Sequence, residues 1–420
     1  MRSGRGFWAQ EASEPPQVHL EGPQGRLDPM PRRLLVSLVS LALALLAGEL
    51  WLGAELEDGS LGEAPIPPFG HLDPTTLEEL KQRAEQARTT PAFCGPLLRW
   101  SERYGWIGVS GRHEDPSLTR NSMGARGQRE LPDERDPDRI RVLCFGESFT
   151  FGAEVGDGED WPSQLEALEP RLEVWNFGVN AWGTDQALLR FRELAPLLGA
   201  DVILMGFLTE NACRNVNRFR QVYQPRDTPA LAKPRFILEG EELVLIPLPF
   251  ESEVEFLETA ARGQLRDVLA EHEYWLGDDP VLAGSNIARA LAARRAAKRR
   301  NPLLLLSDPK GEPYRVSSEL IVTFHEEATA LGARAVGTIV FHPRTDHEFY
   351  ESHDADHLWS GFVSELTGRG VEVIETFEAI SELREAGATG YEHVHHDPEG
   401  NGAIASLVLA HLRSTLPELR

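Results

Sequence analysis

From residue 139 onward the chain alternates short apolar runs with longer amphipathic stretches. The runs are Ile140–Phe145, Leu172–Phe177, Val202–Phe207, Ala333–Phe341 and Val371–Ile374. Between and after them, Trp161–Leu168, Gln186–Leu198, Ser318–Leu331, Leu358–Gly368 and Gly402–Leu412 space their apolar residues as helices do. Strands that alternate with helices predict βαβ units, and continuous rather than alternating apolar runs predict strands buried on both faces. The expected fold is α/β: a three-layer, doubly wound, five-stranded parallel sheet over residues 139–415.

An interruption at about residues 214–313 is too long for a structureless loop. Within it, Phe236–Leu245 reads as a hairpin and Ile287–Arg300 as a helix. Upstream, residues 54–138 read as a linker and N-terminal extension, with a helix over Thr75–Thr89 and a polar surface connection at 112–138.

One stretch departs from this pattern. Residues 34–53 are apolar apart from Ser37, Ser40 and Glu49, close to the roughly 20 residues that cross a bilayer. Arg26, Arg32 and Arg33 precede it, and Glu55, Glu57, Asp58 and Glu63 follow it. That asymmetry predicts a single-pass anchor in the cytoplasmic membrane, with residues 1–33 as a cytoplasmic tail and the main domain extracytoplasmic, in the periplasm. A cleaved signal peptide is the rival, but its small-x-small sites fall inside the apolar run.

Composition narrows the function classes. A hydrophobic fraction of 41% supports a packed core, and a net charge of −24 argues against a nucleic-acid partner. Cys94, Cys144 and Cys213 are odd in number and far apart, so they suggest neither a disulfide framework nor a zinc site.

The first apolar run stops at Gly146-Glu147-Ser148. A serine just past a parallel strand lies where open α/β sheets put their chemistry. Ser148 is therefore the candidate nucleophile, and it needs a base. His395, in Glu392-His-Val-His-His-Asp-Pro-Glu-Gly400 before the last helix, is the candidate base, and Glu392, three residues upstream, the candidate acid orienting it. Gly178 and Asn211 follow the second and third runs, on the same predicted rim. Their backbone N–H and side-chain amide, with the Ser148 N–H, are candidate oxyanion donors. His393 and His396 are alternative bases. A metal reading rests on His342, His347, His353, Asp354, Asp356 and His357, but no His-Glu-x-x-His motif accompanies them. The basic run Arg294, Arg295, Lys298, Arg299 and Arg300 reads as a solvated helix face or a contact for anionic lipid or glycan.

Gly146-Glu-Ser148, Gly178, Asn211 and Glu392-x-x-His395, in that order, resemble the four blocks of the SGNH (GDSL-like) hydrolase superfamily. Asn176–Gln186 and Lys233–Leu238 resemble a membrane-anchored bacterial subgroup. Glu147 and Glu392 depart from the family's aspartates, and Ala212 from the subgroup's usual Asp after the Asn. The resemblance implies a serine esterase that needs no cofactor or metal. Its substrate would be a small-molecule or glycan acyl ester. The alternatives it leaves are an O-acyltransferase on an envelope or exported polysaccharide, served by a membrane acyl-donor partner, and a non-catalytic binding protein on the same fold.

Overall fold

The computed structural model describes residues 32–55, 60–61, 64–65, 69–70, 72, 74–89, 93–95, 97–113, 118–132, 135–224, 231–278, 282, 284–353 and 355–420. Five parallel strands form the central sheet: β1 (Ile140–Phe145), β2 (Leu172–Asn176), β3 (Val202–Leu208), β4 (Ala335–Phe341) and β5 (Val373–Glu375). Their order across the sheet is β2-β1-β3-β4-β5. The chain reverses its direction of travel between β1 and β3, and in such sheets the crevice at the carboxyl ends of those strands takes the ligand.

Strand residues alternate between two cores, as the period of a strand requires. Leu143, Phe145, Ile203 and Met205 pack with Leu188 and Phe191 of the Thr184–Leu198 helix and Phe324 of Glu312–Ala330. Val142, Cys144, Val202 and Leu204 pack on the other face with Trp161, Ile404, Val408 and Leu412. Both faces are covered, which is why the strands read as mainly apolar runs; the polar breaks Arg141 and Glu173 are buried and pair with each other at 2.7 Å. Cys144 is one of the packed side chains and carries no disulfide; the side chain of Cys94 lies outside the described residues.

Most element limits fall within a few residues of expectation; the Glu312–Ala330 helix begins six residues earlier because Pro313 fits its first turn. The interruption holds a hairpin, Arg235–Glu239 with Glu242–Ile246, and helices Glu253–Ala261 and Asn286–Arg299. It shares a core with the Pro74–Ala87 helix through Leu80, Ala84, Phe256 and Trp275, so the N-terminal extension packs as well as links. Arg120 and Arg126 in the 112–138 connection are buried, against the expectation of a surface segment. In the basic run Arg294, Arg295, Lys298 and Arg299 are exposed, while Arg300 is buried, its guanidinium stacked over Phe69 at 4.1 Å.

Arg32–Glu55 is one helix, and its residues 32–54, with mean hydropathy up to 2.1, are long and apolar enough to cross a membrane. Leu34, Leu43, Leu50 and Trp51 are exposed on it.

Candidate active site

At the end of β1 the backbone turns tightly from strand into a single helical turn, Ser148–Phe151. A Cβ on Gly146 would lie 2.1 Å from Thr150 Oγ1, so only glycine permits the turn. The Glu147 carboxylate caps it, accepting the Phe149 N–H at 2.6 Å. Glu147 is fully buried, and burial pushes its carboxyl above the usual range. Gly178 lies directly against this turn: a Cβ there would meet Phe151 N at 2.4 Å.

Ser148 Oγ is 2.8 Å from His395 Nε2. The imidazole packs on Phe149, ring centres 4.9 Å apart. His395 is delivered by the loop before the Pro398–Thr415 helix, which Asp397 caps. Of the two alternatives, His396 is buried, with Nδ1 3.1 Å from Gly390 O, and His393 is exposed.

The carboxylate beside His395 Nδ1 is Glu154, at 3.0 Å. This corrects the expectation for Glu392, which is exposed and meets His395 only through its backbone N–H, donated to the His395 carbonyl at 2.9 Å. Among the described residues, the carboxylate paired with the ring is that of Glu154. Glu154 sits in the segment after the nucleophile turn. Its Oε2 accepts three successive backbone N–H groups, from His393, Val394 and His395, each at 3.1 Å. Burial alone would raise its carboxyl; the His395 imidazole and the loop N–H groups overcome that and hold it down at about 2.

Glu154 has φ +73°, a left-handed conformation costing a non-glycine residue about 1–2 kcal/mol. Arg126 supplies the restraint that holds it there. Its guanidinium donates to the carbonyls of Phe151, Gly152, Val155 and Gly156, which flank Glu154, and pairs with Asp160 at 3.2 Å. Sequence reasoning missed both residues. The available signal was an acidic residue close to Ser148 and an arginine in a stretch taken for surface.

The oxyanion candidates are only partly free. The Gly178 N–H is donated to Asn176 Oδ1 at 3.0 Å. Asn211 is fully buried, with Nδ2 donating to Thr184 Oγ1 at 3.2 Å and its second amide hydrogen unassigned. Asn211 opens a helical turn after β3, beside half-buried Glu210, whose carboxyl is held low by Arg214 and Arg220 against the opposing effect of burial. The metal candidates scatter. His342 lies between Glu375 (2.7 Å) and Asp346 (3.4 Å), His353 stacks on Phe349 and His357 on Trp359. Asp354 lies outside the described residues, and among those described no three such side chains are grouped to hold an ion.

No family model and no curated protein matches the chain. Several solved structures resemble it. One is a member of the lipolytic G-D-S-L family from Veillonella parvula, at 11% identity over 65% of this chain and 97% of that one, with a TM-score of 0.33. Another is the acetyl xylan esterase AlAXEase, at 8% identity over 65% and 100%, TM-score 0.34. A third is AlinE4, an SGNH-hydrolase family esterase, at 13% identity over 67% and 100%, TM-score 0.28. Likeness at this level leaves the chemistry to be argued from the site.

Proposed function

We propose that the chain is a serine acyl-ester hydrolase of SGNH type. One observation carries the reading: the Ser148 hydroxyl is hydrogen-bonded to the His395 imidazole at 2.8 Å, and the Glu154 carboxylate lies 3.0 Å from the other ring nitrogen. Ser148 Oγ attacks the ester carbonyl while His395 Nε2 takes its proton. Glu154 holds the ring with Nε2 toward the serine and stabilises the imidazolium. The Ser148 N–H and the Asn211 amide receive the oxyanion; the Gly178 N–H joins by sharing its bond to Asn176. The C–O bond then breaks, His395 returns the proton to the departing alcohol, and water repeats the sequence to release the acid.

The arginines before the apolar stretch 34–53 and the acidic residues after it support an anchor with the catalytic domain on the outer side of the cytoplasmic membrane. Acylated carbohydrate is a fitting substrate there.

The test is labelling with a fluorophosphonate, the modified residue found by mass spectrometry, beside hydrolysis of p-nitrophenyl acetate. Labelling at Ser148, and turnover, both lost in Ser148→Ala and His395→Ala, are expected. A folded protein that neither labels nor turns over would sink the proposal. Labelling with transfer of the acyl group to a glycan faster than to water would make the enzyme an O-acyltransferase.

A further inference from the structure

Beside the catalytic loop lies a cavity of about 870 Å³, a size that holds a small organic ligand. Its walls adjoin the site through the chain itself: Val394 immediately precedes His395, and Glu210 immediately precedes Asn211. The opposite wall comes from two other elements, Pro302–Leu306 at the end of the interruption and Arg344–Ser352 after β4.

Large apolar side chains are open to the cavity among the exposed polar groups Arg344, Thr345, Glu348 and His393. Leu304, Phe349 and Val394 are 39%, 40% and 56% exposed, an arrangement that leaves large apolar side chains in water at one spot. Val394 owes this position to Glu154. The carboxylate draws the 393–395 backbone inward by its N–H groups, and the valine side chain projects outward.

Charge on the walls is compensated in pairs. Glu210, Asp346 and Glu348 are acidic, and the Arg344 guanidinium is paired with Glu348 at 2.7 Å. Glu210 is likewise paired with Arg214 and Asp346 with His342, so the lining adds no strong charge of its own beside a neutral alkyl chain.

Building on the serine-hydrolase reading, we infer that this cavity is the acyl-chain subsite, and that the enzyme takes esters of alkyl acids longer than acetate. The acyl carbon sits at Ser148 Oγ, and the alkyl tail runs past Val394 to Leu304 and Phe349.

Ethyl- and octylphosphonofluoridates test this without a cognate alcohol. Ser148 Oγ forms the O–P bond, fluoride leaves, and the hydroxyl proton passes to His395, so only the alkyl group differs. Each buried methylene is worth about fourfold in binding, so the octyl probe labels the full-length protein at least about tenfold faster than the ethyl probe. Leu304→Trp, which fills the cavity, and Phe349→Asp, which charges it, each remove most of that preference and leave the ethyl rate as it was. That unchanged ethyl rate shows that the variants fold. Equal wild-type rates for the two probes, or a preference that survives both substitutions, overturn the subsite and leave the serine chemistry standing. No labelling by either probe overturns the hydrolase reading and the subsite with it.

Discussion

Glu154→Gln removes one charge and keeps the side chain's size. A carboxylate 3.0 Å from an imidazolium is worth about 5–6 kcal/mol at an effective dielectric near 20. Glu154 and His395 are 25% and 18% exposed, and solvent screening brings this to about 3 kcal/mol. A second loss comes from the hydrogen bonds. Glu154 faces N–H donors at both oxygens, the ring at one and three backbone groups at the other. A glutamine must turn its NH2 toward one set, donor against donor. The expected outcome is a fall in kcat of about 10² to 10⁴, the upper figure being what a wrong histidine tautomer causes in a serine triad, with KM little changed. Steady-state hydrolysis of p-nitrophenyl esters gives both constants. Glu392→Gln serves as the comparison, and activity within about threefold of wild type is expected because the carboxylate paired with the ring is that of Glu154. The reasoning fails if Glu392→Gln is the damaging change and Glu154→Gln the mild one.

Arg126→Met empties the guanidinium position that gathers four carbonyls around Glu154; kcat should fall at least about tenfold, with thermal unfolding about 2–3 kcal/mol less stable for the orphaned carbonyls. Gly178→Ala puts a methyl group 2.4 Å from Phe151 N, so a loss of about 1–3 kcal/mol, read by denaturant unfolding, should accompany slower phosphonate labelling of Ser148. His342 is fully buried; burial disfavours its charge, but Glu375 and Asp346 prevail and raise it to about 9. Its folded value lies above the unfolded 6.5, so its contribution, up to about 3 kcal/mol, is complete below pH 6.5 and fades as pH rises through 9. Unfolding free energies at pH 6 and 9 in wild type and His342→Phe should converge at the higher pH.

The sheet was legible because burial on two faces writes predominantly apolar runs, a signal that survives without any alignment even where Arg141 and Glu173 interrupt it. Ser148 and His395 were legible because each sits at a fixed place in such a fold, after the first strand and before the last helix. Glu154 was not. Its role depends on a left-handed residue, on three N–H groups from a segment far along the chain and on an arginine folded beneath it, and none of these leaves a periodic trace. Glu392 illustrates the converse. Three residues before the histidine is the spacing a resemblance proposes, yet Glu392 is exposed and meets His395 through the bond between its own N–H and the His395 carbonyl. Arg126 and Arg120 were read as surface from their charge alone, since a lone arginine in sequence does not reveal the carbonyls it will collect.

Placing the acid six residues after the nucleophile also bears on synthesis. Ser148 and Glu154 belong to one local segment, already pinned by Arg126 from upstream. The histidine arrives on the loop ahead of the terminal helix, whose Ile404, Val408 and Leu412 must seat on the sheet. A nascent chain that ends before residue 392 therefore holds a serine and a carboxylate with no proton acceptor between them. On the proposed chemistry, esterase activity would appear only once the Pro398–Thr415 helix has docked, and its appearance would report that docking.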